Sequence, residues 1–72
     1  MNIGDKFKLP KEVSDQNTIY ILKELKEIPE DKYGNKFVIK YIMEDPLITV
    51  FGNTINYPAF RFMKNMDLIS IV

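Results

Sequence analysis

The side chains that could act as acids or bases are two pairs of adjacent carboxylates. Glu30 is followed by Asp31, and Glu44 by Asp45. General acid–base catalysis needs two such groups with different pKa values inside a cleft. Both pairs stand in segments predicted as turns, where neighbouring acids are solvated, and a chain of 72 residues seldom offers a cleft. We therefore expect no acid–base catalysis from them.

The sequence offers even fewer residues for nucleophilic catalysis or metal binding. The chain has no His and no Cys, the residues that most often activate a nucleophile or bind zinc. Its two serines, Ser14 and Ser70, therefore have no His as a base. Gly4, Gly34 and Gly52 are too far apart for a phosphate-binding loop, and the turns hold too few acids for Ca²⁺. The sequence predicts a protein that is not an enzyme and has no cofactor or metal.

One segment has the mixture of basic and aromatic residues that single-stranded nucleic acids bind. Its candidate residues are Lys32, Tyr33, Lys36 and Lys40. Lysines would attract phosphates, and aromatic rings would stack on bases. The net charge of zero offers little general attraction to phosphate, so nucleic-acid binding is the second hypothesis.

A second cluster has the composition of a protein-binding surface, with aromatic and methionine residues around an arginine. Its members are Tyr57, Phe60, Arg61, Phe62, Met63 and Met66. We expect most of them in the core. The segment after Pro58 is predicted as a short helical turn, which would point Phe60 and Phe62 in different directions and expose at least one of the cluster.

Length and composition indicate one small domain, residues 1–72, with more apolar surface than it can bury. Hydrophobic residues make up 46% of the chain, yet a domain of this size buries only about 60% of its unfolded surface. The excess predicts a partner protein or a homo-oligomer. The N-terminus has no signal-peptide pattern and no apolar run could span a bilayer, so we expect a cytoplasmic protein without a membrane partner.

Short β-strands separated by prolines and glycines are the predicted elements. In 4–10, Phe7 and Leu9 should point inward, while Lys6 and Lys8 should face water. Strands are also predicted at 37–43 and 47–51, with a reversal at Gly52-Asn53. A last strand is predicted at 67–72, where both faces are apolar, as in a buried central strand or one covered by a second subunit.

The segment Asn17–Ile28 fits two structures. Ile21, Leu22 and Leu25 form a helical stripe that Pro29 would end. The β-rich start at Thr18 instead favours a strand, with Ile19, Ile21 and Leu25 on one face. The strand is the preferred prediction.

The element order, with its Gly4-Asp5-Lys6-Phe7 opening and the helical turn before the last strand, resembles small SH3-like β-barrel proteins of low-GC Gram-positive bacteria and their phages. The resemblance implies a five-stranded antiparallel barrel and assigns no functional residue. The alternative is an α+β fold, a small antiparallel sheet with a helix at about 15–28.

These observations predict a non-catalytic binding protein. The specific hypothesis is a phage or mobile-element accessory protein that inhibits a host protein, for example an anti-CRISPR or other anti-defence factor. In that role the acidic stretch Glu24–Asp31 could imitate a nucleic acid. The alternatives are a small nucleic-acid-binding barrel and a small-molecule-binding oligomer with a pocket between subunits.

Overall fold

The protein is an open antiparallel sheet with a separate hairpin. The structure, a computed structural model, describes residues 1–12, 17–45 and 48–71. These residues form strands and loops without a helix. The strands are β1 (Lys6–Lys8), β2 (Tyr20–Glu27), β3 (Phe37–Met43), β4 (Ile48–Val50), β5 (Asn53–Ile55), β6 (Ala59–Met63) and β7 (Ile69–Ser70). The main sheet has the order β6-β3-β2-β1-β7, and β4 pairs only with β5.

This architecture confirms the mostly β prediction but not the barrel or its helical turn. Closing a barrel requires the two edge strands to meet, whereas β6 and β7 lie at opposite edges of the sheet. The segment predicted as a helical turn is β6, an extended strand paired with β3. The helix of the α+β alternative is also wrong over Tyr20–Glu27, which is β2; residues 13–16 lie outside the described part of the chain.

One face of the sheet, here called the core face, carries the hydrophobic core. The buried residues are Phe7, Leu9, Leu22, Ile39, Tyr41 and Met63. Phe7 and Leu9 point inward as predicted, while Lys6 is exposed and Lys8 half-buried. The rings of Phe7, Tyr20 and Tyr41 pack together with centroid separations of 5.7, 5.7 and 5.0 Å, two of the three pairs edge to face. This aromatic cluster joins β1, β2 and β3.

The connection from β6 to β7 covers the core face. It runs from the strand at one edge of the sheet to the strand at the other. Within it, the backbone N–H of Leu68 donates a hydrogen bond to the C=O of Met66 (2.8 Å), so the connection contains a tight turn. Met66 and Leu68 in this connection pack against the core. Residues 64–68 therefore form a strap across the core face.

The closing strand differs from its prediction. β7 is only two residues long, pairs with β1 alone and is exposed at both Ile69 and Ser70. It is an edge strand, and Leu68 just before it packs against the core as part of the strap. Val72 lies outside the described residues.

The hairpin reverses one residue earlier than predicted. Val50 pairs with Asn53, so Phe51 and Gly52 form the turn, with φ values of 52° and 79°. Positive φ at both central residues is the geometry of a type I′ turn, which normally selects Asn and Gly. Leu47, which began the predicted strand, lies outside the described residues.

A β-bulge explains why β2 was ambiguous in sequence. Leu22 pairs with Tyr41 but Glu24 pairs with Lys40, so Lys23 is an extra residue in β2. Leu22 and Leu25 consequently share the core face although they are three positions apart. That spacing imitates a helix. The strand prediction is confirmed, but its buried face is that of Tyr20, Leu22 and Leu25.

Deleting Lys23 should destabilise the protein strongly. Without the bulge, strand alternation would turn Leu25 to the opposite face of the sheet. We expect the free energy of unfolding, measured in urea, to fall by about 2 kcal/mol or more, as for loss of a buried leucine side chain. Lys23→Ala keeps the bulge and should change it by less than about 0.5 kcal/mol. Equal stability of the two variants would contradict this role of the bulge.

Asp31 organises the loop between β2 and β3. Its Oδ1 accepts hydrogen bonds from the backbone N–H groups of Tyr33 (2.9 Å) and Asn35 (2.8 Å), and its Oδ2 accepts one from Nδ2 of Asn35 (3.0 Å). The hydrogen bond from the Asn35 backbone is the largest cause that lowers the pKa of Asp31. The charged carboxylate is therefore the form that holds the loop.

The stability that Asp31 contributes should disappear in acid. A pKa lowered by folding gives stability above the unfolded value of about 3.9, lost as pH falls through the folded value. Asp31→Asn should be less stable than the wild type at pH 7, because its amide cannot accept the Asn35 bond as an anion does. The difference should shrink below about pH 4 in urea unfolding series. A difference that stays constant down to pH 2 would contradict this assignment.

Candidate binding surface on the outer face of the sheet

The face opposite the core, here called the outer face, has two exposed aromatic rings beside each other on β6. Phe60 is 64% exposed and Phe62 is 59% exposed. In β3, Lys40 pairs with Phe60 and Val38 pairs with Phe62. We call these four residues, Val38, Lys40, Phe60 and Phe62, the β3–β6 surface.

The register between β3 and β6 explains why these rings face outward. Met63 pairs with Phe37 and Arg61 with Ile39, on the core face. Because side chains alternate along a strand, the residues between them must point to the other side. Phe60 and Phe62 therefore share a face, which the helical turn expected from sequence would have prevented.

Asn56 fixes the start of β6 against β3. Its Nδ2 donates a hydrogen bond to the backbone C=O of Met43, and its Oδ1 accepts one from the Met43 N–H (3.3 Å). The side-chain amide thus pairs with both backbone groups of Met43, as a neighbouring strand would. It anchors the chain just before it enters β6.

The ammonium group of Lys40 lies over the β3–β6 surface. Its Nζ is 5.6 Å from the centroid of the Phe60 ring, a cation–π contact that contributes about 0.5–1 kcal/mol at exposed sites. Glu24 pairs with Lys40 on the other side, in β2. The aromatic edge therefore presents a positive charge together with its rings.

Basic residues are concentrated on the outer face although the whole chain is neutral. Strand register places four lysines there, Lys6, Lys8, Lys26 and Lys40, against the single acid Glu24. Lys6 forms an ion pair with Glu44. The hydrogen bond from Lys6 to Glu44 is the main cause that raises the pKa of the lysine. Among the described residues, the other acids except Glu27 lie outside the strands, so the strands of this face have a positive balance.

The hollows near this surface do not suit a small-molecule ligand. One, of about 80 Å³, is lined by Glu24, Lys26, Val38, Ile39, Lys40 and Phe60. Another, of about 260 Å³, borders Phe62 and the charged residues Arg61, Lys64 and Asp67. Small-molecule sites usually measure roughly 300–1,000 Å³. The geometry favours contact with a broad surface or an extended chain.

The structure separates the residues predicted to bind a partner. Tyr57 is exposed between β5 and β6, and Phe60 and Phe62 lie on the outer face. Arg61 is half-buried on the core face. Met63 belongs to the core and Met66 to the strap. Only two of the six candidates therefore stand together on the β3–β6 surface.

The residues predicted to bind nucleic acid are also divided. Lys32 and Tyr33 lie in the Asp31 loop, with the Lys32 Nζ 5.1 Å from the Tyr33 ring centroid. Lys36 is 4.0 Å from a carboxylate oxygen of Glu30. Lys40 is separate from them, on the outer face. The acidic stretch is divided too, since Glu24 lies on the outer face and Glu27 pairs with Phe37 on the core face.

Sequence reasoning missed Val38 and Lys26 as parts of the outer face. The sequence places Val38 in a predicted strand and gives Lys26 a charge, but it does not show which face either side chain occupies. The one sequence signal for this surface is the alternation of Ala59-Phe60-Arg61-Phe62-Met63, which predicts a strand with both phenylalanines on one side.

The described residues include no helix long and apolar enough to cross a membrane. They also include no group of three or more acidic side chains placed to hold a metal ion. No family model, curated protein or solved structure matches the chain significantly.

Proposed function

We propose that this protein binds another protein through the β3–β6 surface. The observation that carries the proposal is the exposure of Phe60 and Phe62 side by side on an edge strand. Aromatic residues are enriched at the centres of protein interfaces. Covering two such rings would contribute on the order of 2–4 kcal/mol. Surrounding lysines would supply a polar rim.

The proposed consequence of binding is inhibition of the partner, as for a phage or mobile-element accessory protein acting on a host protein. The chain has no His or Cys with which to modify a partner. A domain of 8.5 kDa acts most directly by covering a surface that its partner needs. Size and missing catalytic residues support this part of the proposal.

Replacing both rings should abolish partner capture. We expect immobilised wild-type protein to retain a specific protein from a nuclease-treated lysate of the native host, and Phe60→Ala/Phe62→Ala to lose it. Losing two interface aromatics should weaken binding by roughly 100-fold or more. Mass spectrometry of the retained proteins measures the difference. An inhibition assay on the purified partner follows.

A matched control is available at Tyr33, which is 65% exposed and lies in the Asp31 loop. Tyr33→Ala removes an aromatic ring of equal exposure from another surface and should retain the partner. Equal retention by all three proteins, or loss with Tyr33→Ala alone, would contradict the proposal.

Nucleic-acid binding is a second candidate, favoured by the four lysines of the outer face beside two exposed rings. Aromatic side chains on a sheet can stack on bases while lysines contact phosphates. The neutral chain makes such binding weak at physiological salt.

This second candidate predicts binding that is steeply sensitive to salt. A fluorescent single-stranded oligonucleotide should bind at 20 mM salt, be released as salt rises, and bind less well to Lys40→Ala than to Lys32→Ala. Fluorescence anisotropy measures all three. No binding at 20 mM salt, or a greater loss with Lys32→Ala, would contradict outer-face recognition.

A further inference from the structure

The free edge of β6 is an unprotected site for strand addition. β6 pairs with β3 on one side and, among the described strands, with none on the other. Native edge strands are usually short, bulged or charged. The opposite edge, β7, is indeed only two residues long. In contrast, β6 has five residues in regular register, and its one charged residue, Arg61, is half-buried on the core face.

The charges around this edge argue against a second copy of the chain as the occupant. An antiparallel pairing centred on Arg61 would place the two arginines opposite each other. Centred on Phe60, it would place two Lys40 ammonium groups on the same face, one over each of the paired rings. Centred on Phe62, it would place Lys64 opposite Phe60, beneath Lys40. Each of these three registers adds positive charge to positive charge on one face.

The same charges suit an extended acidic segment. A sixth strand beside β6 would direct alternate side chains to the outer face, against Phe60 and Phe62, and the others to the core face, opposite Arg61. Apolar side chains fit the positions on the outer face, and carboxylates fit those on the core face. The ammonium group of Lys40, held over Phe60, adds positive potential at this edge. Alternating apolar and acidic residues therefore match both faces at once.

We propose that the partner contributes an extended segment of alternating apolar and acidic residues, which adds to β6 as a sixth strand of the sheet. This inference rests on the proposed protein-binding function and specifies how it is performed. Backbone hydrogen bonds would give the affinity, and the Phe60–Phe62 pair with Arg61 would give the selectivity.

The test uses four blocked eight-residue peptides and the ¹⁵N-labelled protein. The first peptide alternates Val and Glu, and the second alternates Val and Lys. The third and fourth are the Val–Glu peptide with alternate amides N-methylated, one in each of the two frames. We expect the Val–Glu peptide to shift the amide resonances of Ala59–Met63 but not those of Ile69 and Ser70. The Val–Lys peptide and at least one N-methylated frame should bind about tenfold more weakly or worse.

A charge reversal provides the matched variant. Arg61→Glu, at the half-buried core-face position beside which the peptide's carboxylates would lie, should reduce affinity for the Val–Glu peptide and raise it for the Val–Lys peptide, while the dispersion of its amide spectrum reports that it folds. No shift in β6, equal binding of the two charge types, or indifference to N-methylation in both frames would overturn strand addition. So would concentration-dependent dimerisation through β6 in sedimentation. If these fail while Phe60→Ala/Phe62→Ala still loses its protein partner, only the mode is wrong.

Discussion

The register between β3 and β6 is the constraint on which the rest of the structure depends. Pairing Ile39 with Arg61 directs Ile39, Tyr41 and Met63 into the core. Because side chains alternate, the same register directs Phe60 and Phe62 outward. A slip of one residue would bury the phenylalanines and expose Met63. Core and candidate binding surface are therefore two results of one pairing.

The connection between β6 and β7 covers one face of this sheet. The strap of residues 64–68 crosses the core face, where Met66 and Leu68 add apolar surface. Leu9 contributes from the segment after β1. On the outer face, Val38 is half-buried and Phe60 is exposed. The excess of hydrophobic residues noted in the sequence thus has a structural explanation.

The sequence predicted the elements whose local signal agrees with their pairing. The inward positions of Phe7 and Leu9 follow from alternation in and just after β1, and β3 follows from its density of β-forming residues without a helical stripe. β2 was ambiguous because the bulge at Lys23 gives Leu22 and Leu25 a helical spacing. Such a bulge depends on pairing with β3, which no local pattern contains.

The candidate site was only partly predictable, for a similar reason. Phe60 and Phe62 were identified by composition, but the expected helical turn separated them. Pairing with β3 overrides that local preference. The positive charge of the outer face could not be predicted from the sequence, because strand pairing decides which lysines share a face. Neutral net charge gives no sign of such segregation.

Water reaches Phe60 and Phe62 on the outer face but is excluded from Phe7 in the core. Hydroxyl-radical footprinting of the isolated protein compares side chains of the same type, so differences report exposure. We expect Phe60 and Phe62 to be oxidised at rates near those of the unfolded chain, while Phe7, which is fully buried, is strongly protected. Protection of Phe60 and Phe62 equal to that of Phe7, at every protein concentration, would contradict an uncovered outer face.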